Sequence, residues 1–125
     1  MRVMRALWGA AAILVSPVAP AMAGEVTVVA VEVVPSMVGG FDFHVTLQHE
    51  DTGWDHYAIR WEVTSLSGNR MFGERVLFHP HVNEQPFTRS LRAIVIPPDV
   101  REVLVRGQDK VHGWGEPVQV RLPGR

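Results

Sequence analysis

The stretch FDFHVTLQ, residues 41–48, alternates apolar and polar side chains without a break. One face would carry Phe41, Phe43, Val45 and Leu47, and the other Asp42, His44, Thr46 and Gln48. Successive side chains of a β-strand point to opposite faces of the sheet, so this pattern predicts a strand with one buried and one solvated face. Such strands are typical of antiparallel sheets. We assign no functional role to the histidine on the solvated face.

Six further β-rich segments flank this strand and are separated by turn signals. They span residues 25–34, 57–66, 70–78, 86–96, 101–108 and 117–122, and none has a sustained helical period. Seven short strands in about 100 residues, with Trp61 central in the third, predict an all-β, seven-stranded antiparallel sandwich of the immunoglobulin-like type. A small closed barrel is the alternative. The predicted core contains Trp61, Phe43, Val45, Val103 and Val105.

The first 23 residues have the pattern of a secretory signal peptide. Arg2 and Arg5 precede an apolar run at 6–15, and the triplet Ala-Met-Ala at 21–23 matches a cleavage site. We therefore predict a mature domain spanning residues 24–125, located in the periplasm or secreted. A retained N-terminal anchor is the alternative. No later stretch has the roughly 18 apolar residues that a membrane helix needs.

Charge and cysteine content exclude several classes of protein. Without Arg2 and Arg5, 10 basic residues remain against 13 acidic ones, a net charge of −3 with histidine neutral. No cluster of basic residues stands out, so we predict no nucleic-acid partner. The chain contains no cysteine, which excludes disulfides and thiolate chemistry. Its stability must come from packing, with or without a bound ion.

Five of the six histidines fall in loops predicted to lie at one end of the sandwich. Connections in a sandwich alternate between its two ends, so the loops after the second, fourth and sixth strands share an end. These loops contain HEDTGWDH at 49–56, HPHVNE at 79–84 and DKVHGWG at 109–115. Imidazoles with carboxylates predict a site for zinc, copper or iron. The candidate ligands are His49, His56, His79, His81, His112, Asp109 and Glu84.

The pair His79 and His81 has the spacing of a chelate. In an extended chain the two side chains point the same way, with their Cα atoms roughly 6.5 Å apart. Glu84 is near enough in sequence to bind the metal or to orient one of the rings. Because the ligands must be neutral imidazoles, metal binding should weaken as the pH falls through about 6.5.

The same loop end also has the composition of a protein-docking surface. Trp54 and Trp114 lie two residues from His56 and His112, and Phe87 follows the second histidine-containing loop. Aromatic side chains are frequent anchors of protein–protein interfaces. A periplasmic protein-binding module, with Trp54, Trp114 and Phe87 as its anchors, is therefore the alternative function.

Two loops resemble those of the superoxide reductase catalytic domain. Six residues separate His49 from His56, and His56 opens the run HYAIRW. Asp109 and His112 belong to DKVHGW, and the resemblance covers roughly residues 41–116. That family has an immunoglobulin-like sandwich and an iron bound by histidines and a cysteine. Here Asp109 stands at the cysteine position, the family's N-terminal histidine has no counterpart, and the histidine spacing is one residue longer.

The resemblance implies a metal site formed by His49, His56 and His112, with Asp109 as an oxygen ligand. Since thiolate donation to iron is central to reduction in that family, we expect binding or delivery of zinc, copper or iron rather than superoxide reduction. A degenerate redox protein of this type is a further alternative.

A second resemblance is to the sandwich-fold subunit of the periplasmic sulfur carrier of thiosulfate oxidation. His49, Thr52 and Gly53 match its H-x-x-T-G pattern, and the run HPHVNEQPF at 79–87 is similar to a later segment. That subunit is a binding module without a metal, so this resemblance favours the docking alternative.

Overall fold

The computed structural model describes residues 12–15 and 24–125. These residues form nine β-strands and no helix, and so include no helix able to cross a membrane. The strands are β1 (Ala12–Val15), β2 (Thr27–Pro35), β3 (Phe41–Gln48), β4 (Ala58–Thr64), β5 (Met71–Val76), β6 (Phe87–Ile94), β7 (Glu102–Asp109), β8 (Gly113–Trp114) and β9 (Val118–Arg121). Of the predicted signal peptide, only Ala12–Val15 is described, as strand β1 against β2, so its cleavage stays a prediction.

The strands form two antiparallel sheets. One sheet has the order β1-β2-β3-β6, and the other has the order β5-β4-β7-β8, with β9 also paired to β7. An all-β fold of two antiparallel sheets is thus confirmed. The strand predicted at 70–78 is β5, which pairs with β4 and not with β6. The loop between β5 and β6 therefore crosses from one sheet to the other.

The predicted core residues lie between the sheets. Phe43, Val45, Trp61, Val103 and Val105 all have 0% exposure, so the predicted core is confirmed. Each fully buried side chain of this size contributes roughly 1.5–3 kcal/mol relative to an exposed one. With no disulfide, this burial is the main source of stability.

The strand registers bring four chain segments to one end of the molecule, which we call the site end. Gln48, the last residue of β3, pairs with Thr27 of β2, and Leu47 pairs with Phe87 of β6. In the other sheet, Ala58 at the start of β4 pairs with Asp109 at the end of β7. The loops after β3, β5 and β7 therefore meet at the site end, beside the segment that precedes β2.

Val26 fixes the segment before β2 against the second sheet. Its side chain is 1% exposed, and a Cβ added to Gly107 of β7 would lie 2.5 Å from Val26 Cγ1. A Cβ added to Gly115 would overlap the carbonyl oxygen of Val26. Only glycine permits so close an approach at these two positions, so the backbone around Val26 is closely fitted to β7 and to the residue after β8.

Candidate metal centre

Three donor atoms from two segments, the loop between β3 and β4 and the end of β7, converge at the site end. His49, His56 and Asp109 each offer one ligand atom, and these atoms all lie within 4.8 Å of one another. The atoms that meet are Nε2 of His49, Nε2 of His56 and Oδ2 of Asp109. His49 and Asp109 are buried, whereas the His56 side chain is 24% exposed. The group therefore has two buried side chains and one that is partly exposed to solvent.

His56 Nε2 is a buried nitrogen that has no hydrogen-bond partner among residues 12–15 and 24–125. It lies 2.6 Å from Asp109 Oδ2, but the two atoms lack hydrogen-bond geometry. Leaving a buried polar atom unpaired costs about 1–3 kcal/mol, so such an atom in a native protein indicates an ion or a water. Two imidazole nitrogens and a carboxylate oxygen that lie this close together have the arrangement expected around a cation.

Asp51 orients the ring of His49. Its Oδ1 contacts His49 Nδ1 in a short, buried hydrogen bond and also accepts from the backbone N–H of Ala58 at 3.0 Å. Its Oδ2 accepts from the backbone N–H of His81 at 2.7 Å. With Nδ1 bound in this way, Nε2 of His49 is turned toward His56 and Asp109. A carboxylate behind a histidine is a common support of metal ligands and raises the basicity of the imidazole.

The turn after β7 holds the carboxylate of Asp109 in place. Its Oδ1 accepts from the backbone N–H groups of Val111 at 2.5 Å and of His112 at 2.8 Å. The other oxygen, Oδ2, is left facing the two histidines. The His112 ring lies beside the group, with Nδ1 3.3 Å from Asp109 Oδ1 and a ring centroid 5.0 Å from that of His56. His112 is thus placed next to the three converging donors.

Charge and burial shift the pKa values of the buried groups. Burial lowers the pKa of His49, but hydrogen bonds to Asp51, to the Gly24 carbonyl and to Asp109 outweigh burial and raise this pKa above its usual value. Burial raises the pKa of Asp51 and of Asp109, but hydrogen bonds from His49 and from backbone N–H groups lower both pKa values overall. Without a metal, a proton on His49 partly balances two buried carboxylates.

The HPH segment at 79–81 does not join the three donors. His81 is buried and stacked on Phe87 at a centroid distance of 3.9 Å, and its Nε2 lies 2.9 Å from Nη2 of Arg89. Glu84 is exposed and also contacts Arg89, at 3.2 Å. The His79 ring is exposed and lies 4.5 Å from the His81 ring. His81 and Glu84 of the predicted chelate therefore contact Arg89, and neither they nor His79 belong to the group around Asp109.

The three predicted docking aromatics have different surroundings. Trp54 is 62% exposed and packs edge-on against Tyr57. Trp114 is half-buried, with the Arg106 guanidinium 4.1 Å from its ring. Phe87 is 3% exposed and lies under His81, so it belongs to the core rather than to the surface.

Two residues at this centre were not among the sequence candidates. Asp51 stands two residues after His49, a spacing that could have suggested a supporting carboxylate. Gln85 accepts a hydrogen bond from the His49 backbone N–H at 3.0 Å and donates one to the His81 carbonyl at 3.0 Å. Nothing in the sequence pattern indicates that Gln85 connects the His49 and His81 backbones.

Comparison with known proteins gives one informative relative. The chain is 45% identical over 87 residues to a protein named "Putative lipoprotein" from Halomicrobium mukohataei. The match covers 68% of this chain but 42% of the relative, so the chain spans less than half of that protein's length. No family model matches, and no solved structure matches.

The opposite pKa shifts of His49 and His81 give a test of the centre in the metal-free protein. Burial, together with repulsion from Arg89 and His79, lowers the pKa of His81. We expect the His49 ring to titrate above about 6.5 and the His81 ring below it. Proton NMR of the imidazoles after chelator treatment, assigned with His49→Gln and His81→Gln, measures both. Two rings titrating together near the unperturbed value would contradict the described hydrogen bonds.

The same shifts set the pH dependence of stability. His49 binds its proton more tightly in the folded state than in the unfolded chain. Its contribution to the free energy of unfolding is therefore fully present below about pH 6.5 and is lost as the pH rises through its raised pKa. For His81 the unfolded chain binds the proton more tightly than the folded protein does. The contribution of neutral His81 to the free energy of unfolding is therefore lost as the pH falls from about 6.5 through its lowered pKa.

Proposed function

We propose that this chain is an exported β-sandwich protein that binds a transition-metal ion through His49, His56 and Asp109. The observation that carries the proposal is the convergence of three donor atoms within 4.8 Å. The unpartnered, buried His56 Nε2 supports it, because an ion would supply the missing partner. His112 lies outside this group of three, with its Nδ1 3.3 Å from Asp109 Oδ1, and we propose that its ring covers the site.

The donor set favours zinc, copper or iron. Two imidazole nitrogens and a carboxylate oxygen suit these metals, and the absence of thiolate disfavours a soft copper(I) site. Three protein ligands also leave a position open for water or for a ligand from outside, as in catalytic zinc sites. Asp51 behind His49 and the turn that holds Asp109 would orient two of the ligands before the metal arrives.

We further propose that the sandwich is of the seven-stranded immunoglobulin-like type and works outside the cytoplasm, in the periplasm or after secretion. The order of β2, β3 and β6 against β5, β4, β7 and β9 supports the first point. The predicted signal peptide and the name of the Halomicrobium relative support the second. The relative's name describes that protein, and its longer chain leaves room for parts that this chain does not match.

Asp109 also bears on the resemblance to superoxide reductases. A carboxylate at the position of that family's cysteine is a hard oxygen donor and does not push electron density onto iron as a thiolate does. We therefore propose metal binding or delivery as the function, with a degenerate superoxide reductase-like redox activity as the lesser alternative.

A protein-binding module is the second candidate function, and the exposure of Trp54 favours it. This side chain is 62% exposed at the edge of the metal centre, where the loop backbone is tied down by a hydrogen bond from Lys110 Nζ to the Trp54 carbonyl at 2.8 Å. An exposed tryptophan on a fixed backbone is a suitable interface anchor. If docking is the function, Trp54→Ala abolishes complex formation with a periplasmic partner, while the metal content of the variant stays unchanged.

Metal analysis of untagged protein purified from its native compartment tests the main proposal. We expect about one equivalent of metal in the wild type. His56→Ala removes the partly exposed ligand, whose loss disturbs the core least. Asp109→Asn keeps a side-chain oxygen that accepts the hydrogen bonds of the turn after β7, but removes the negative charge. Each should weaken the affinity at least about tenfold, the lower range for disturbing a metal site.

His79→Ala is the matched control, because it removes a histidine of the same end that lies outside the three converging donors. Its affinity should equal that of the wild type. A protein without bound metal, or a loss of affinity in His79→Ala as large as that in His56→Ala, would contradict the proposed site.

A further inference from the structure

The backbone of Gly24 lies inside the candidate metal centre. Its carbonyl oxygen is 3.0 Å from Nε2 of His49, the atom that also faces Asp109. On its other side, a Cβ added to Gly24 would lie 2.6 Å from Nδ1 and 2.8 Å from Nε2 of His112. The residue therefore contacts two histidines of the centre, and any side chain at this position would displace the ring of His112.

This position is fixed by the packing of the next residues. Two residues on, Val26 is wedged against Gly107 and Gly115. From Thr27 onward the chain is hydrogen-bonded in β2, where Thr27 pairs with Gln48 directly before His49. These contacts all lie on the C-terminal side of Gly24, so they stay in place when the chain is cut before it.

The sequence predicts a cut at this point. The triplet Ala-Met-Ala at 21–23 places the signal-peptidase site between Ala23 and Gly24. Cleavage there would convert the backbone nitrogen of Gly24 into a free α-amino group. Covalent geometry keeps this nitrogen within roughly 2.7–3.6 Å of the residue's own carbonyl oxygen, which already lies beside His49.

We propose that signal-peptide cleavage completes the metal centre, with the α-amino nitrogen of Gly24 joining His49, His56 and Asp109 as a ligand of Cu²⁺. This inference rests on the proposed metal-binding function. It raises the donor set to three nitrogens and one oxygen, and a tetragonal set of this kind is typical of copper(II) or nickel(II), of which copper binds more tightly. Glycine at the first mature position leaves room for both the metal and the His112 ring.

The mechanism makes export a condition for tight binding. Before cleavage, the nitrogen of Gly24 is a peptide nitrogen whose lone pair is delocalised into the carbonyl group, and it is a poor ligand without loss of its proton. After cleavage, the same atom is an amine. The precursor in the cytoplasm would then bind Cu²⁺ more weakly than the mature protein outside it.

The test compares three forms of the full chain, each exported with its own leader and purified untagged. The first is the wild type. The second has one serine inserted between Ala23 and Gly24, which moves the amino group one residue away and leaves residues 24–125 unchanged. The third has one serine inserted between Met37 and Val38, two exposed residues of the loop between β2 and β3, at the opposite end. Intact mass gives each N-terminus, and thermal unfolding without metal verifies that all three fold.

Competition with a chelator of known affinity measures the Kd for Cu²⁺, and electron paramagnetic resonance reports the nitrogens bound to it. We expect the wild type to begin at Gly24 and to bind one Cu²⁺ with three nitrogens. The serine before Gly24 should weaken binding at least about tenfold and alter the spectrum, as expected when one ligand is disturbed. The serine after Met37 should change neither.

The outcomes separate this inference from the proposed function. If the wild type binds Cu²⁺ and the serine before Gly24 changes neither the Kd nor the spectrum, the amino-group ligand is refuted while the metal site stands. An exported protein that retains residues before Gly24 also refutes it. A wild type that binds no transition metal overturns both.

Discussion

The carboxylate of Asp51 connects the parts of the molecule on which the metal centre depends. It accepts hydrogen bonds from the His49 ring, from the first residue of β4 at Ala58, and from the backbone of the loop that crosses between the sheets at His81. A single buried side chain therefore sets the ring orientation of one ligand and ties together two loops. Because its partners come from both sides of the sandwich, the position of His49 is coupled to the packing of the whole site end.

Burial of two carboxylates around one imidazole is electrostatically costly unless positive charge is present. Asp51 is 5% exposed and Asp109 is 1% exposed, and both have lowered pKa values, so both are charged at neutral pH. Buried charges require compensation by partners or by a metal. In the metal-free protein a proton on His49 provides part of this compensation, consistent with the raised pKa of that residue. A bound cation would replace this proton and neutralise Asp109 directly.

The strand pattern, the all-β class and the core were predictable from sequence, whereas the pairing of β5 with β4 and the conformation of the loops were not. The alternation in FDFHVTLQ and the central Trp61 gave the strands and the core, because strand periodicity fixes which face a side chain occupies. Because successive connections of a sandwich lie at alternating ends, the sequence also placed His49, His56 and Asp109 at the same end, as observed. The HPH segment was different: two histidines pointing the same way suggested a chelate, but stacking on Phe87 and the contact with Arg89 depend on β6, which pattern alone does not relate to that loop.

The role of Gly24 shows a second kind of limit. A cleavage motif predicts where a chain is cut, whereas only the fold shows which side chains surround that point. Here the close fit of Val26 against Gly107 directs the segment before β2 to the histidines of the opposite loops. A glycine that reads as part of a processing signal is thus also a structural part of the centre.

Anomalous diffraction from crystals of the metal-loaded protein would locate the cation that we propose between His49, His56 and Asp109. We expect a single strong peak about 2.0–2.2 Å from Nε2 of His49, Nε2 of His56 and a carboxylate oxygen of Asp109. A peak located instead between His79 and His81, with Asp109 Oδ2 still in contact only with protein atoms, would contradict it.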